Sequence, residues 1–93
     1  YAAFASAKFG LKAVAEAMAR ELWPQRIHVA HLTIDAGVDT EWVRQIIKDR
    51  GGPEDPQGLM PPEAIAEAYW ELFRQPETAW TFEKEIRPCG EPW

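Results

Sequence analysis

The 93-residue sequence has one cysteine, no excess of basic residues and no long apolar run. A single cysteine forms neither an internal disulfide nor a zinc site, as is usual for intracellular proteins. The net charge of −5 provides no basic surface for phosphates and argues against nucleic-acid binding. The sequence contains no run of about 18 apolar residues, which is the length needed to span a membrane. The first residues also lack a signal-peptide pattern. These absences favour a cytoplasmic protein that binds neither nucleic acid nor membranes.

The length of the chain allows at most one small domain, with 46% hydrophobic residues. The sequence starts at Tyr1 rather than at a methionine. We therefore expect it to be a piece of a longer protein.

A long amphipathic helix is predicted from Phe4 to Trp23. Apolar side chains recur every three or four residues, which is the spacing of one helix face, and we expect that face to be buried. The many alanines favour a helix and leave room for close packing against another helix. Pro24 is expected to end the helix. The apolar face consists of Phe4, Ala7, Leu11, Val14, Met18 and Leu22.

Lys8 lies in a pattern of residues that runs through this helix into the next segment. The pattern comprises Phe4-Ala5-Ser6-Ala7-Lys8, Gly10-Leu11, Ala15, Ala19-Arg20-Glu21-Leu22 and Ile27-His28-Val29. It resembles the active-site helix and following strand of the short-chain dehydrogenase/reductase family. In that family a tyrosine stands four residues before the lysine, on the same helix face, and both reach the substrate and the cofactor. The resemblance makes Lys8 the catalytic lysine, which hydrogen-bonds the nicotinamide ribose and makes the tyrosine more acidic.

Phe4 stands where the family has its tyrosine. Phenylalanine has no hydroxyl, so it cannot donate or accept the proton that carbonyl reduction or alcohol oxidation requires. Tyr1 would lie about 10 Å from Lys8 along the axis, at a rise of about 1.5 Å per residue. We therefore expect Tyr1 either to pack at the helix end or to belong to a frayed terminus, rather than to replace the missing acid.

Residues 27–34 are rich in β-branched side chains and predict a strand buried on both faces, as in parallel sheets under helices. His28 and His31 lie three residues apart, so in a strand their side chains point to opposite faces. We expect no metal site from this pair.

The loop from Asp35 to Thr40 follows the strand at its carboxyl end, where open α/β sheets bind ligands. In the resembling family this loop usually begins with Pro-Gly, and a backbone group and a threonine further on touch the nicotinamide end of the cofactor. Ile34-Asp35 stands in place of Pro-Gly. By position, the resemblance assigns the cofactor contacts to Val38 and Thr40. The alternative is a plain turn in which Asp39 or Thr40 caps the next helix.

The remaining sequence predicts a helix over residues 41–50, a loop rich in proline and glycine over 51–62, a helix over 62–74 and a strand over 79–87, followed by a tail. In the resembling family the loop is the substrate lid. Trp42, Ile46 and Leu59 would then face the substrate, although core packing explains the same apolar residues equally well.

The order helix, strand, helix, helix, strand predicts an α/β fold that is the C-terminal part of a Rossmann-like doubly wound parallel sheet. The two strands should be parallel and joined by a right-handed crossover. The glycine-rich turn that binds a cofactor pyrophosphate does not occur in these residues. Residues 1–93 are therefore interpreted as the C-terminal portion of a single NAD(P)-binding domain whose glycine-rich half is absent from this chain.

The resemblance implies an oxidoreductase that uses NAD or NADP to transfer a hydride to or from a small carbonyl or alcohol substrate, made atypical by Phe4. One alternative is a non-catalytic binding or regulatory protein that keeps the dehydrogenase fold. Another is a small fragment or domain that dimerises. We expect a homo-oligomer formed through the Phe4 to Trp23 helix, with Lys12, Val14 and Met18 at the contact.

Overall fold

The computed structural model describes residues 1–90, which form helices and strands in the order helix, strand, helix, helix, strand. The last three residues of the predicted tail, 91–93, lie outside the described residues. The elements are α1 (Ala2–Leu22), a 3-10 turn (Trp23–Gln25), β1 (His31–Ile34), α2 (Glu41–Asp49), α3 (Pro62–Phe73) and β2 (Glu83–Ile86). This order confirms the predicted α/β architecture.

The strands β1 and β2 are neighbours in a two-stranded sheet. The His31 N–H donates to the Phe82 carbonyl at 2.6 Å, and the Asp35 N–H donates to the Ile86 carbonyl at 3.0 Å. Both strands advance by four residues between these bonds, so they run parallel, as predicted.

Both strands are shorter than the predicted spans of residues 27–34 and 79–87, because neighbouring groups occupy the backbone before each strand. Before β1, the Val29 carbonyl accepts a hydrogen bond from the Trp23 indole at 3.0 Å. Before β2, the Thr81 N–H donates to the Gln75 side chain at 2.8 Å. The prediction of burial on both faces was also wrong, since every residue of β1 is only half-buried.

The described chain divides into two compact units. The first comprises Tyr1–Thr33 and Leu72–Lys84, and the second comprises Ile34–Glu71 together with residues 85–90.

In the first unit, α1 turns a different face inward from the one predicted. Phe4 and Val14, on the predicted face, are 60% and 58% exposed, whereas Ala19 is only 7% exposed. The less exposed side also carries Lys12, whose ammonium pairs with Glu83 at 2.5 Å. Small alanine side chains allow close approach on this side. Most of the predicted apolar face of α1 is therefore exposed, with Leu22 half-buried, which corrects the prediction that this face is buried.

Three aromatic rings pack together where α1 ends. The Trp80 ring stacks on His28 at 4.6 Å between centroids, and Trp23 meets Trp80 edge-on at 5.4 Å. His28 Nε2 donates to the Thr81 carbonyl at 2.8 Å. His28 thus has a packing role, while the His31 ring lies 3.5 Å from the Thr33 hydroxyl.

Candidate functional site

Lys8 lies on α1, one helical turn after Phe4 and on the same side of the helix. Its ammonium stands over the Phe4 ring, 5.6 Å from the ring centroid, which is within the range of a cation–π contact. Lys8 is exposed and forms no ion pair with a carboxylate anywhere in residues 1–90. The helix therefore presents an ammonium group whose three N–H donors are accessible to a ligand.

Tyr1 precedes α1 and is 98% exposed. Its ring lies 6.1 Å from the Phe4 ring, between centroids. Its carbonyl accepts a hydrogen bond from the Ala5 N–H at 2.8 Å, which begins the helix. The structure thus places Tyr1 at the helix end, beside Phe4, as expected from its spacing.

The loop that carries Val38 is held by a parallel bridge between Val38 and Met60. The Met60 N–H donates to the Gly37 carbonyl, and the Asp39 N–H donates to the Met60 carbonyl, both at 2.8 Å. In such a bridge the N–H of Val38 points away from Met60. No described residue accepts a hydrogen bond from it. The loop therefore presents one backbone donor on its outer side.

Thr40 caps α2, which confirms that part of the prediction. Its hydroxyl oxygen accepts a hydrogen bond from the Val43 N–H at 3.2 Å, and its carbonyl accepts from the Arg44 N–H at 3.0 Å. A threonine hydroxyl that accepts one hydrogen bond still has its proton to donate. Capping the helix and binding a ligand are thus compatible roles for Thr40.

An ion-pair cluster beside this loop was missed by sequence reasoning, which treated Asp39 only as a possible cap. Arg44 Nε donates to Asp39 Oδ1 at 2.5 Å, and Arg44 Nη2 donates to Asp39 Oδ2 at 3.2 Å. Arg44 Nη1 lies 3.5 Å from Asp55 Oδ1. The sequence signal that could have indicated this ion pair was an acidic residue, Asp39, just before a helix and an arginine, Arg44, in its second turn.

This cluster shifts the acidity of both partners. The hydrogen bonds from Arg44 hold the pKa of Asp39 below its ordinary value of 3.8; partial desolvation opposes them and the positive charge of Arg44 reinforces them. The hydrogen bonds and charge of Asp39 raise the pKa of Arg44 above its ordinary value. Both groups are therefore charged at neutral pH, and the ion pair is permanent under those conditions.

The three residues expected to face either substrate or core differ in exposure. Trp42 on α2 is 73% exposed, whereas Ile46 and Leu59 are half-buried. A side chain at Gly37 would place its Cβ 2.9 Å from Leu59 Cδ2. The absence of a side chain at Gly37 thus lets Leu59 pack against the loop, and core packing accounts for Leu59.

The structure brings Val38 and Thr40 together within one turn of the second unit, and it places Lys8 in the first unit. Within residues 1–90, His, Cys, Asp and Glu side chains do not gather into a group of three or more that could hold a metal ion. None of the helices described here combines the length and apolar character needed to cross a membrane.

Comparison with known proteins gives one informative match. Neither a protein-family model nor a curated protein sequence matches the chain. Among solved structures, the chain is similar to a short-chain dehydrogenase from Rhodopseudomonas palustris, with 53% sequence identity and a TM-score of 0.68. The match covers 95% of this chain and 30% of that protein.

An identity of 53% over nearly the whole chain confirms the resemblance that the active-site helix predicted. The chain belongs to the short-chain dehydrogenase/reductase family. It spans 30% of the length of the solved protein that it matches, so it corresponds to part of such a protein.

Proposed function

We propose that the full-length protein is an NAD- or NADP-dependent oxidoreductase that transfers a hydride to or from a small carbonyl or alcohol substrate. The observation that carries this proposal is the 53% identity with a short-chain dehydrogenase over 95% of the chain. In this proposal residues 1–93 are the C-terminal portion of a single nucleotide-binding domain. They contribute Lys8 and the turn that carries Val38 and Thr40.

We propose that Lys8, Val38 and Thr40 bind the nicotinamide end of such a cofactor. Lys8 offers an ammonium with no carboxylate partner among residues 1–90, and such a group suits the hydroxyls of a ribose. The Val38 N–H and the Thr40 hydroxyl are donors that suit the oxygen of a carboxamide. A bound nicotinamide cofactor supplies or accepts the hydride. The chain's own groups bind and orient its ribose and carboxamide.

The proton of the reaction has no donor at the usual position. Phe4 stands there and has no ionisable group, while Lys8 lies over its ring at 5.6 Å. A proton donor elsewhere in the full-length protein, or a bound water, therefore has to supply the proton to the substrate oxygen. Lys8 retains its ribose contact in this scheme, because that contact needs only the ammonium.

The same observation supports a second candidate function. A helix that keeps the lysine but has phenylalanine in place of the tyrosine suits a binding or regulatory protein that keeps the cofactor site and lacks the reaction. The two candidates share cofactor binding and differ only in turnover. Binding and catalysis therefore have to be measured separately.

We also propose that the protein acts in the cytoplasm and forms a homo-oligomer through the helix from Phe4 to Trp23. The exposure of Val14 and Met18 supports this contact. Lys12, also expected at the contact, pairs with Glu83 in the first unit, so its ammonium is already engaged.

Titration of the full-length protein with NADPH and with NADH tests the proposal, following energy transfer from tryptophan to the reduced nicotinamide. The chain contains five tryptophans that can act as donors. A saturable signal is the expected result. If neither nucleotide gives saturation, both candidate functions are wrong.

The variant Lys8→Met tests the assignment of the lysine. Removing a charge-assisted hydrogen bond should raise the Kd for the nucleotide by about tenfold or more. Lys48→Met is the matched control, because Lys48 is an exposed helix lysine that forms no ion pair within residues 1–90. Equal affinities of the two variants would remove Lys8 from the site.

A further inference from the structure

Asp39 stands between the two residues proposed to bind the nicotinamide end, and backbone hydrogen bonds fix the turn around it. Its N–H donates to the Met60 carbonyl at 2.8 Å. The Thr40 N–H donates to the Val38 carbonyl at 2.8 Å and closes a tight turn around Asp39. The orientation of Asp39 therefore determines how Val38 and Thr40 are presented.

Arg44 fixes that orientation through a two-pronged contact. Its Nε and Nη2 donate to the two carboxylate oxygens of Asp39 at 2.5 and 3.2 Å. A planar guanidinium that binds both oxygens restrains the position and the tilt of a carboxylate, whereas a lysine ammonium would act as a single point charge. Because Arg44 belongs to the regular helix α2, its contact with Asp39 fixes the position of the turn relative to a rigid helix.

The same guanidinium also reaches the loop between α2 and α3. Arg44 Nη1 lies 3.5 Å from Asp55 Oδ1, and the Asp55 side chain is 82% exposed. This third contact is long and accessible to water, so it is the weakest of the three. The position of the turn thus depends mainly on the pair formed by Arg44 and Asp39.

We propose that Arg44 is a positioning residue for the nicotinamide cofactor. Its guanidinium holds Asp39 through two hydrogen bonds, and Asp39 keeps the Val38 N–H and the Thr40 hydroxyl in the positions that the cofactor requires. This inference rests on the proposed function. Arg44 acts through Asp39 and touches no cofactor atom. A misplacement of about 1 Å in a positioned group can cost about 100-fold in rate, so a residue outside the site can matter.

The pair should matter for binding far more than for folding. Ion pairs that are accessible to water contribute little to global stability. We therefore expect a variant at Arg44 to fold normally and to present the turn poorly. This separates a positioning role from a general structural role.

The test uses Arg44→Gln and Arg44→Lys in the full-length protein, with NADPH as the titrant and amide hydrogen exchange as a second measurement. For Arg44→Gln we expect the Kd for NADPH to rise by about tenfold. Exchange at the Asp39 and Met60 amides, which close the bridge, should accelerate by about tenfold. Arg44→Lys should recover only part of both effects, because it keeps the charge and loses the fork.

Arg50→Gln is the matched control. Arg50 follows the last turn of α2 and forms no ion pair within residues 1–90. The same chemical change there should leave the Kd, the amide exchange and the melting temperature at the values of the unchanged protein. An effect at Arg50 equal to that at Arg44 would overturn the specific role of Arg44.

The remaining outcomes separate the inference from the proposed function. If the unchanged protein binds neither NADPH nor NADH, the proposed function falls and the cofactor role of Arg44 falls with it. If the unchanged protein binds and Arg44→Gln binds equally well, only the positioning role is overturned. A raised Kd with unchanged amide exchange would also overturn it, because Arg44 would then act on the ligand directly. Full recovery by Arg44→Lys would overturn the role of the fork.

Discussion

The start of α1 and the turn at residues 37–40 both carry hydrogen-bond donors, but these donors are held in place by different means. On α1, helical spacing places Lys8 one turn after Phe4, and its ammonium lies over the Phe4 ring, 5.6 Å from the ring centroid. In the turn, Asp39 is bonded to Met60 and to Arg44, and Thr40 is bonded to Val43. Helical backbone bonds place a side chain without tertiary partners, whereas an irregular segment needs such partners to hold one conformation.

This contrast makes different changes informative in the two regions. A substitution on α1 adds or removes one functional group and leaves its position unaltered. A substitution in the turn changes where several groups lie. The first kind tests chemistry, and the second tests positioning.

The largest expected effect is that of Phe4→Tyr in the full-length protein. The new hydroxyl would stand one helical turn before Lys8, where the family has its acid, and a positioned general acid contributes about 10²- to 10⁴-fold in rate. Reduction of a broad panel of carbonyl compounds should therefore rise by that order. Activity that stays at the level of the unchanged protein would mean that the rest of the site is not intact.

The second effect concerns the exposed face of α1. Replacing both Val14 and Met18 by Gln should convert a homo-oligomer to a monomer, because these apolar side chains are 58% and 44% exposed and their burial drives association. Light scattering at high protein concentration measures the change. Ala13 and Ala17, also exposed on α1, provide the matched control pair for substitution by Gln. A monomeric unchanged protein would contradict the proposed contact.

A smaller effect is expected in the turn from Thr40→Ala. The helix α2 loses its cap bond to the Val43 N–H, which should cost about 1 kcal/mol of unfolding free energy. The donor proposed for the carboxamide is lost as well, so the Kd for the nucleotide should also rise. Thr40→Ser keeps the hydroxyl and should restore both. Denaturant unfolding and nucleotide titration measure the two effects, and a serine variant as poor as the alanine variant would contradict them.

The smallest effect is the pH dependence of the pair formed by Asp39 and Arg44. The pKa of Asp39 is lowered in the folded protein, so its contribution to stability is complete above the ordinary value of 3.8 and is lost as pH falls through the lowered value. The difference in melting temperature between the unchanged protein and Asp39→Asn should be constant above about pH 5 and should shrink as pH falls below 3.8. A difference that grows on acidification would have the wrong sign.

Sequence reasoning was most successful where regular periodicity decides the structure. The helix predicted from Phe4 to Trp23 is found over Ala2–Leu22, and the helix predicted over residues 62–74 is found over Pro62–Phe73. Thr40 was also correctly expected as a possible cap, because a side-chain oxygen before a helix has a local partner. These features depend on residues within a few positions of one another.

Features that depend on distant residues were predicted less well. Both strands proved shorter than expected. Trp23 and Gln75 form hydrogen bonds with backbone groups that the sequence pattern assigned to the strands. Arg44 was missed as part of the candidate site, since nothing in its spacing shows that it reaches both Asp39 and Asp55.

The sequence by itself determined the helices, the order of the elements, the family resemblance, and the placement of Phe4 one turn before Lys8, because each rests on local spacing or on residue identity. Only the tertiary structure decided which face of α1 is exposed, how far the strands extend, and what holds the turn around Asp39. Those features depend on contacts between residues far apart in the chain, such as Lys12 with Glu83. Local periodicity does not predict such contacts.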